Sequence, residues 1–593
     1  MRILLLTHAF NGLAQRLYVE LRRDGHTLSV ELDIHDQVSE DAVALFDPDV
    51  VIAPFLKRAI PATIWQRRLC LVVHPGPPGD RGPAALDWAI LRGVPIWGVS
   101  VLQAQDGFDC GPVWAYADFP MRYASKSSLY RRETTAGAVV AVRAAIARLI
   151  AGAGPLPVAD VRSLAGPLQG WQPALSQAQR AIDWASDGSD DVVRKIRAAD
   201  GFPGVEHTLL GRVFRMFDAT AVLPLPPDAW ATQSRRRSAA PGAILGHGGN
   251  AQDPAGLCLA TRDGAVWIGH LQPMDSAAPA FKQPALAALG PLADGLDCIA
   301  AASPEADAAP VDIRYDESGP IGLLSFDFHN GALGSAQCRR LRAAYARARA
   351  RPTRVIVLMG GSDFWCNGMH LHAIESAASA GAASWENINA IDDLALDILS
   401  TDTHLTMAAI GGNAAAGGVF LALATDHVLA RNGVVLNPHY RNMGNLFGSE
   451  YWTYLLPRRV GAPQAEALMA ERLPMGAAEA LAMGLIDAVE GPDDASYFDG
   501  VFRHAGILAD AASFAHELAR KRARRAYDEQ LRPLSAYREA ELERMHRNFF
   551  GFDPSYHVAR HRFVHRAPAA WTPLHLASHR RAGYARPSPA APG

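Results

Sequence analysis

Two stretches constrain this chain more than any others. VLMGGSDFWCNGMHLHAIE runs from Val357 to Glu375, and MAAIGGNAAAGGVFLALATD runs from Met407 to Asp426. Each opens as an apolar strand, breaks into glycines and continues in a helical pattern. A strand that turns into a helix at glycine presents backbone N–H groups, and the helix start adds partial positive charge there. Two such turns stand about fifty residues apart in the sequence, each offering the backbone N–H groups that an oxyanion-binding site requires. The competing explanation is steric, because glycine also lets backbones approach closely.

Length and charge narrow the class. At 593 residues the chain exceeds a single core and predicts roughly three to five domains. A net charge of −3 provides no global positive field for nucleic acid or anionic membrane. The basic cluster Lys521–Arg525 reads as a solvated helix face. The six cysteines show no CxxC pair and no metal-ligand spacing, which predicts a reducing compartment, packing roles and no metal site. Met1 leads straight into RILLL, and no run approaches a membrane span. The expectation is a cytoplasmic multidomain enzyme without nucleic-acid or membrane partners.

The fold class expected is α/β multidomain. Residues 1–160 alternate short apolar runs, RILLL, VVIAPF, LCLVV and IWGVSVL, with helical segments, the pattern of a parallel α/β sheet. Gly154–Leu175 is rich in Gly and Pro and reads as a connector. GAILGH, LCLATRDG and AVWIGHLQP predict a small β-rich domain over 176–275, followed by a linker over 276–312. Residues 313–500 return to α/β alternation, and 501–593 read as a helical extension whose end, Arg586–Gly593, frays.

VVHPGPPGDRGPAALDWAI, Val72 to Ile90, puts His74 at the end of a buried strand, where open α/β sheets place their chemistry. Asp109 follows in an Asp-x-Gly turn, and a neutral His beside a carboxylate makes an acid/base pair. The order HPG, RGP, WAI, GVS, DCG, then AIDW, IRAADGFPG, GAILG and LQP, resembles the methionyl-tRNA and glycinamide formyltransferase family over roughly 1–275. That family uses 10-formyl-tetrahydrofolate. The resemblance implies catalytic roles for His74 and Asp109, while Val72 stands where the family has an asparagine. Valine donates no hydrogen bond. Gln15 and Arg131 are the folate-binding candidates; both also fit solvent-facing helix positions.

The two glycine turns resemble those of the crotonase, or enoyl-CoA hydratase/isomerase, superfamily, whose paired amides hold a CoA thioester carbonyl. By that resemblance Met369, after Gly368, and Gly417, before Gly418, supply the amides. Leu473–Val489 resembles the family's later helix-turn. The two hydratase glutamates are absent: Phe420 and His439 occupy their positions. On the segment LNPHYRNMGNLFGSEYW, Glu450 is the only carboxylate, and burial beside aromatics would raise its pKa into a useful range. Tyr440 is the accompanying donor or relay. The plainer alternative for Glu450 is a helix N-terminal carboxylate that satisfies backbone amides.

The whole chain resembles the HypX/HoxX family of NiFe-hydrogenase maturation proteins, through the VVHPGPPGDRGP, SFDFHNGALG, FWCNGMHLHAIE, SWENINAIDD and NPHYRNMGNLFGSEYWTYLLPRR blocks. The resemblance implies formyl transfer from 10-formyl-tetrahydrofolate to coenzyme A, then decarbonylation of formyl-CoA to carbon monoxide, in the context of hydrogenase assembly proteins. Two alternatives stand beside it: an enzyme that stops at formyl-CoA or hydrolyses it, and a non-catalytic docking scaffold.

Overall fold

The computed structural model describes residues 1–165, 170–222, 239–250, 253–274, 281–299 and 312–581. The expected linker stretch 302–311 and the tail end 586–593 lie outside the described residues. The chain divides into two compact units. The first comprises Met1–Asp183, Asp190–Glu206 and Pro568–Gly593; the second comprises Trp184–Ser189 and His207–Ala567.

The first unit is built on one six-stranded sheet. Its strands are β1 (Arg2–Thr7), β2 (Thr27–Leu32), β3 (Val50–Phe55), β4 (Cys70–His74), β5 (Ile96–Gln103) and β6 (Val113–Pro120), in the order β2-β1-β3-β4-β5-β6. The first four pair in parallel. The sheet expected as parallel becomes mixed beyond them, because β5 runs antiparallel to β4 and β6 antiparallel to β5. Leu4, Leu5 and Ile52 are fully buried, as continuous apolar strands covered on both faces must be. Helix α1 (Gly12–Arg23) starts where the Asn11 side chain accepts from the Ala14 amide, and buries Leu13, Leu17 and Leu21 on one stripe. Helix α2 (Thr135–Ile150) is preceded by a π-helical turn, Tyr130–Thr134.

Residues 568–581 belong to this first unit and lie against the edge strand β2. Val30 N–H donates to Leu576 O at 3.1 Å, and Leu32 N–H to Thr572 Oγ1 at 2.9 Å. Ser29 and Glu31 on the strand are completely buried. Glu31 accepts from His579 Nε2 at 3.0 Å, from Arg580 Nε at 2.7 Å and from the Thr572 hydroxyl. These partners hold its carboxyl below the usual glutamate range despite burial. An exposed strand edge is a template for aggregation, and the tail covers this one. Because Glu31 loses partners when His579 is truncated, His579→Ala is expected to cost about 2–3 kcal/mol in urea denaturation at pH 7. The depressed carboxyl makes this contribution present above the ordinary glutamate pKa and lost as pH falls through the folded value, so the wild-type advantage should vanish in acid.

The second unit carries a sheet of β7 (Val205–Leu209, whose first two residues are counted in the first unit), β8 (Arg212–Val222), β9 (Ile244–Asn250), β10 (Asp253–Ala260) and β11 (Ala265–Pro273), ordered β9-β10-β11-β8-β7. Part of the segment expected as linker is built into it. Gln283–Pro284 pairs with β11, and the helix Ala285–Leu289 buries Ala285 and Leu289. An apolar PALAAL run folds onto a sheet because leaving it solvated would expose that area.

A further six-stranded sheet follows, with β12 (Ile313–Ser318), β13 (Ile321–Phe326), β14 (Val355–Leu358), β16 (Leu405–Ile410), β18 (His427–Arg431) and β21 (Ala488–Glu490) in that spatial order. Beside it runs a small sheet of β15 (Phe364–Cys366), β17 (Asn413–Ala415), β19 (Val435–Asn437) and β20 (Met475–Gly476). The two glycine turns leave β15 and β17. Four helices matter for the site: α3 (Ala380–Leu399), α4 (Gly417–Leu423), α5 (Trp452–Val460) and α6 (Leu534–Phe550). Among the described residues no helix is long and apolar enough to cross a membrane.

Candidate functional site

In the first unit His74 ends β4 with its ring buried between two carboxylates. Nε2 lies 2.8 Å from Asp80 Oδ2, and Nδ1 lies 3.5 Å from Asp109 Oδ1. Asp80 follows in the Pro/Gly loop and is also buried. Gly76 between them has to be glycine, since a Cβ there would overlap both side chains. Asp109 sits at φ +51°, and its Oδ2 accepts from the Gly82 amide at 3.1 Å, so the two loops are pinned together. Asp80 escaped the sequence reading. Its position six residues after His74, in a loop of prolines and glycines, reads as an ordinary turn residue.

Val72 is half-buried and packs on the apolar cluster around Leu4, Val51 and Cys70, so no donor replaces the missing asparagine at that position. Ser100, opposite His74 in register, gives its hydroxyl proton to Gly76 O at 2.9 Å. Gln15 lies on α1 and donates to Phe10 O at 2.9 Å. Arg131 lies in the π-helical turn, which meets the start of α1 through a Tyr130–Asn11 side-chain hydrogen bond. Turns of this kind recur at functional positions. The folate-binding candidates therefore stand on neighbouring elements.

In the second unit the two glycine turns touch. Gly368 is at φ +77°, and a Cβ on it would lie 3.2 Å from the Gly417 amide nitrogen. The first turn is fixed by Leu333 N–H donating to Gly368 O at 2.8 Å, directly before Met369. The second turn pivots on Ala416 at φ +48°, ψ −130°, a conformation that costs a non-glycine residue of order 1–3 kcal/mol and tends to persist at functional sites. Gly418 has a separate reason to be glycine: a Cβ would overlap Cys366 O. Its role is explained by packing.

Glu450 faces Gly417 so closely that a Cβ on Gly417 would overlap Glu450 Oε1. Glu450 and Tyr451 are both left-handed, at φ +58° and +60°. Glu450 Oε2 accepts from the Tyr440 hydroxyl at 2.6 Å and from the Ser449 amide at 3.1 Å. Oε1 is buried without a hydrogen-bond partner among the described residues. Burial pushes this carboxyl up to about 8, with the charges of Asp392 and Glu541 adding to the rise. The Tyr440 ring stacks on Phe420 at 5.2 Å and approaches Gly448 so closely that a Cβ there would overlap it. Phe420, which displaces a hydratase acid, thus forms the platform for Tyr440. His439, at the position of the other, is buried beside it.

The helix-cap alternative for Glu450 is answered by a residue from the C-terminal helices. Glu541 on α6 accepts from Tyr451 N–H at 2.9 Å and Thr453 N–H at 2.8 Å, capping α5 from outside its own segment. Asp392 on α3 accepts from Glu450 N–H at 2.8 Å. Neither residue was singled out from sequence. Asp392 lies in IDDLALDIL, which reads as an acidic helix face, and Glu541 in a long charged helix.

Two groups of metal-capable side chains also lie together in this unit, Asp218 with His270 and His329, and Glu375 with His561 and His565. Both are already engaged internally. His270 Nδ1 is 2.9 Å from Asp218, and Glu375 is paired with Arg560 at 2.7 Å.

The fold and the clusters around His74 and Glu450 define a chain that joins a formyltransferase-type part to an enoyl-CoA hydratase/isomerase-type part. Family models agree: formyl transferase over 28–144, formyl transferase C-terminal domain over 174–284, and enoyl-CoA hydratase/isomerase over 327–573. A probable enoyl-CoA hydratase of Rhodobacter capsulatus is 34% identical over 29% of this chain and 66% of its own. Hydrogenase maturation factor HoxX of Bradyrhizobium diazoefficiens is 50% identical over 98% of this chain and 97% of its own. The crystal structure of HypX from Aquifex aeolicus in complex with tetrahydrofolic acid superposes with a TM-score of 0.89 at 42% identity, covering 99% of this chain and 100% of that one. The chain belongs to the HypX/HoxX family of hydrogenase maturation factors.

Proposed function

We infer that this protein moves a formyl group from 10-formyl-tetrahydrofolate to the thiol of coenzyme A at the first site, and releases carbon monoxide from formyl-CoA at the second. The carbon monoxide would serve the NiFe site through hydrogenase assembly proteins, in the cytoplasm. The observation that carries the reading is the Glu450 carboxyl, buried, bonded to Tyr440 through one oxygen and facing the Gly417 turn with the other. The folate half is supported by the tetrahydrofolate complex of the A. aeolicus relative.

At the first site His74, oriented by Asp80 and with Asp109 at its other nitrogen, relays the thiol proton to the folate nitrogen. The sulfur attacks the formyl carbon as the C–N bond breaks. A thiolate is a strong nucleophile, which eases the loss of the asparagine donor at Val72. Gln15 and Arg131 bind the folate. At the second site the amides of Met369 and Gly417 hold the thioester carbonyl. Glu450, as carboxylate, takes the formyl proton; the C–S electrons leave with sulfur, and Glu450 returns the proton to that thiolate. Tyr440 steadies the carboxylate throughout. The net products are tetrahydrofolate, carbon monoxide and coenzyme A unchanged.

The test is to incubate the protein with carbon-13-labelled formyl-tetrahydrofolate and coenzyme A, trapping gas with a haem reporter. Labelled carbon monoxide is expected; labelled formate alone would sink the second step. Since the base must be ionised and burial pushes Glu450 up to about 8, the rate of carbon monoxide release should rise with pH and level off above about 8.

A further inference from the structure

Around Glu450 the structure carries a buried polar assembly that the proposed chemistry does not use. Asp392 arrives from α3 and Glu541 from α6, more than a hundred residues apart in sequence. Both side chains are fully buried. Each grips the same short turn. Asp392 Oδ1 accepts from Glu450 N–H at 2.8 Å, and Asp392 Oδ2 is 2.8 Å from Ser449 Oγ. Glu541 Oε2 accepts from Tyr451 N–H at 2.9 Å and is 3.3 Å from the same Ser449 Oγ. Glu541 Oε1 takes both the amide and the hydroxyl of Thr453.

Resting on the reading of Glu450 as the base, we propose that Asp392 and Glu541 are positioning residues: they lock the Ser449-Glu450-Tyr451 turn, with Glu450 and Tyr451 left-handed, and so aim the Glu450 carboxyl at Gly417. Two consecutive left-handed non-glycine residues are unfavourable and persist only when their surroundings over-determine them. Here three successive residues are held through two backbone amides and one hydroxyl by side chains of two other helices. A core of similar shape needs none of these carboxyls; burying them is costly unless they are bonded in this way.

The same groups act on the proton. One Ser449 hydroxyl proton cannot serve two carboxylates, so a bond to both requires a further proton on one of them. Burial raises both, Asp392 to about 6 and Glu541 to about 8. The nearby cation is Arg538 on α6, 3.8 Å from Asp392 and 2.8 Å from Asp393. Tyr440 faces Glu450 from its own loop, and the buried thiols of Cys366 and Cys338 from β15 and the helix Ser335–Arg349. Asp392 is therefore the charge whose removal acts most directly on Glu450, by lowering its proton affinity.

The test uses the full chain with Asp392→Asn. Formyl-CoA formation is expected to persist. The maximal rate of carbon monoxide release should fall about ten- to a hundredfold with little change in KM, and its pH midpoint should move down by on the order of one unit. The protonated-carboxyl infrared band, assigned to Glu450 by its loss in Glu450→Gln, should titrate with the same displacement. A merely structural role would alter folding and leave both midpoints in place, so unmoved midpoints with normal turnover overturn the proposal. Should Asp392→Asn fail to fold, Ser449→Ala removes only the shared hydroxyl, and undiminished carbon monoxide release in that variant overturns it equally. Full activity in Glu450→Gln is a different result: it removes the base itself and with it the reading on which the proposal rests.

Discussion

Glu450→Gln is expected to abolish carbon monoxide release, by about a thousandfold or more, while formyl-CoA accumulates from formyl-tetrahydrofolate. Glutamine keeps the volume and one acceptor for the Tyr440 hydroxyl and Ser449 amide, so the turn should hold. What it loses is the capacity to take a proton from carbon. Replacing a buried carboxyl by a neutral amide should not weaken the fold. A carboxyl raised from 4.5 to about 8 keeps its proton in the folded chain at pH values where the unfolded chain has released it. It therefore opposes folding increasingly between those two values and by a constant amount above; the variant should equal the wild type in acid and already exceed it in thermal denaturation near pH 7. Tyr440→Phe is the graded companion. It leaves Glu450 in place but removes one donor to Oε2, and about a hundredfold loss is expected. Formyl-CoA consumption measured by chromatography, alongside haem-trapped gas, separates these outcomes. Formate released by the wild type and lost in Glu450→Gln would assign the carboxyl to a hydrolytic step instead.

His74→Ala is expected to stop the first step by a similar factor. The second step should survive in the same variant when formyl-CoA is supplied directly, because every group proposed for it lies in the other unit. Asp80→Asn should also slow formyl transfer strongly, since the 2.8 Å hydrogen bond to Nε2 fixes which way the ring faces. Asp109→Asn, across a 3.5 Å separation, acts through charge more than through a formed bond. The ratio of the two effects measures which carboxylate orients the imidazole. Loss of carbon monoxide release from supplied formyl-CoA in His74→Ala would mean that the two chemistries are not divided between the sites as proposed.

Much of this protein was legible before any coordinates. RILLL, VVIAPF and LCLVV are strands because unbroken apolar runs bury on both faces, and the glycine turns after β15 and β17 follow from the switch of period from strand to helix. His74, Tyr440 and Glu450 were visible as polar residues at strand ends or in otherwise aromatic and glycine-rich text. Other features were not. IWGVSVL pairs antiparallel, because an apolar strand carries no record of its neighbour's direction. The C-terminal tail lies on β2 more than five hundred residues away, held by Thr572, His579 and Arg580, which look like ordinary polar tail residues.

The division is physical. Periodicity, turn residues and the order of motifs are local properties, and by themselves they determined the α/β fold class with its formyltransferase-like and crotonase-like parts, and put the glycine turns and a short roster of chemical side chains forward as candidates. The work a carboxyl performs depends on what surrounds it in space. Only the tertiary structure decided that Asp80 holds His74, that Phe420 supports Tyr440, and that Glu541 caps α5 in place of Glu450. Desolvation and hydrogen bonding arise from groups brought together by the fold, and no sequence neighbour records them. They are what leave one oxygen of Glu450 facing the Gly417 turn.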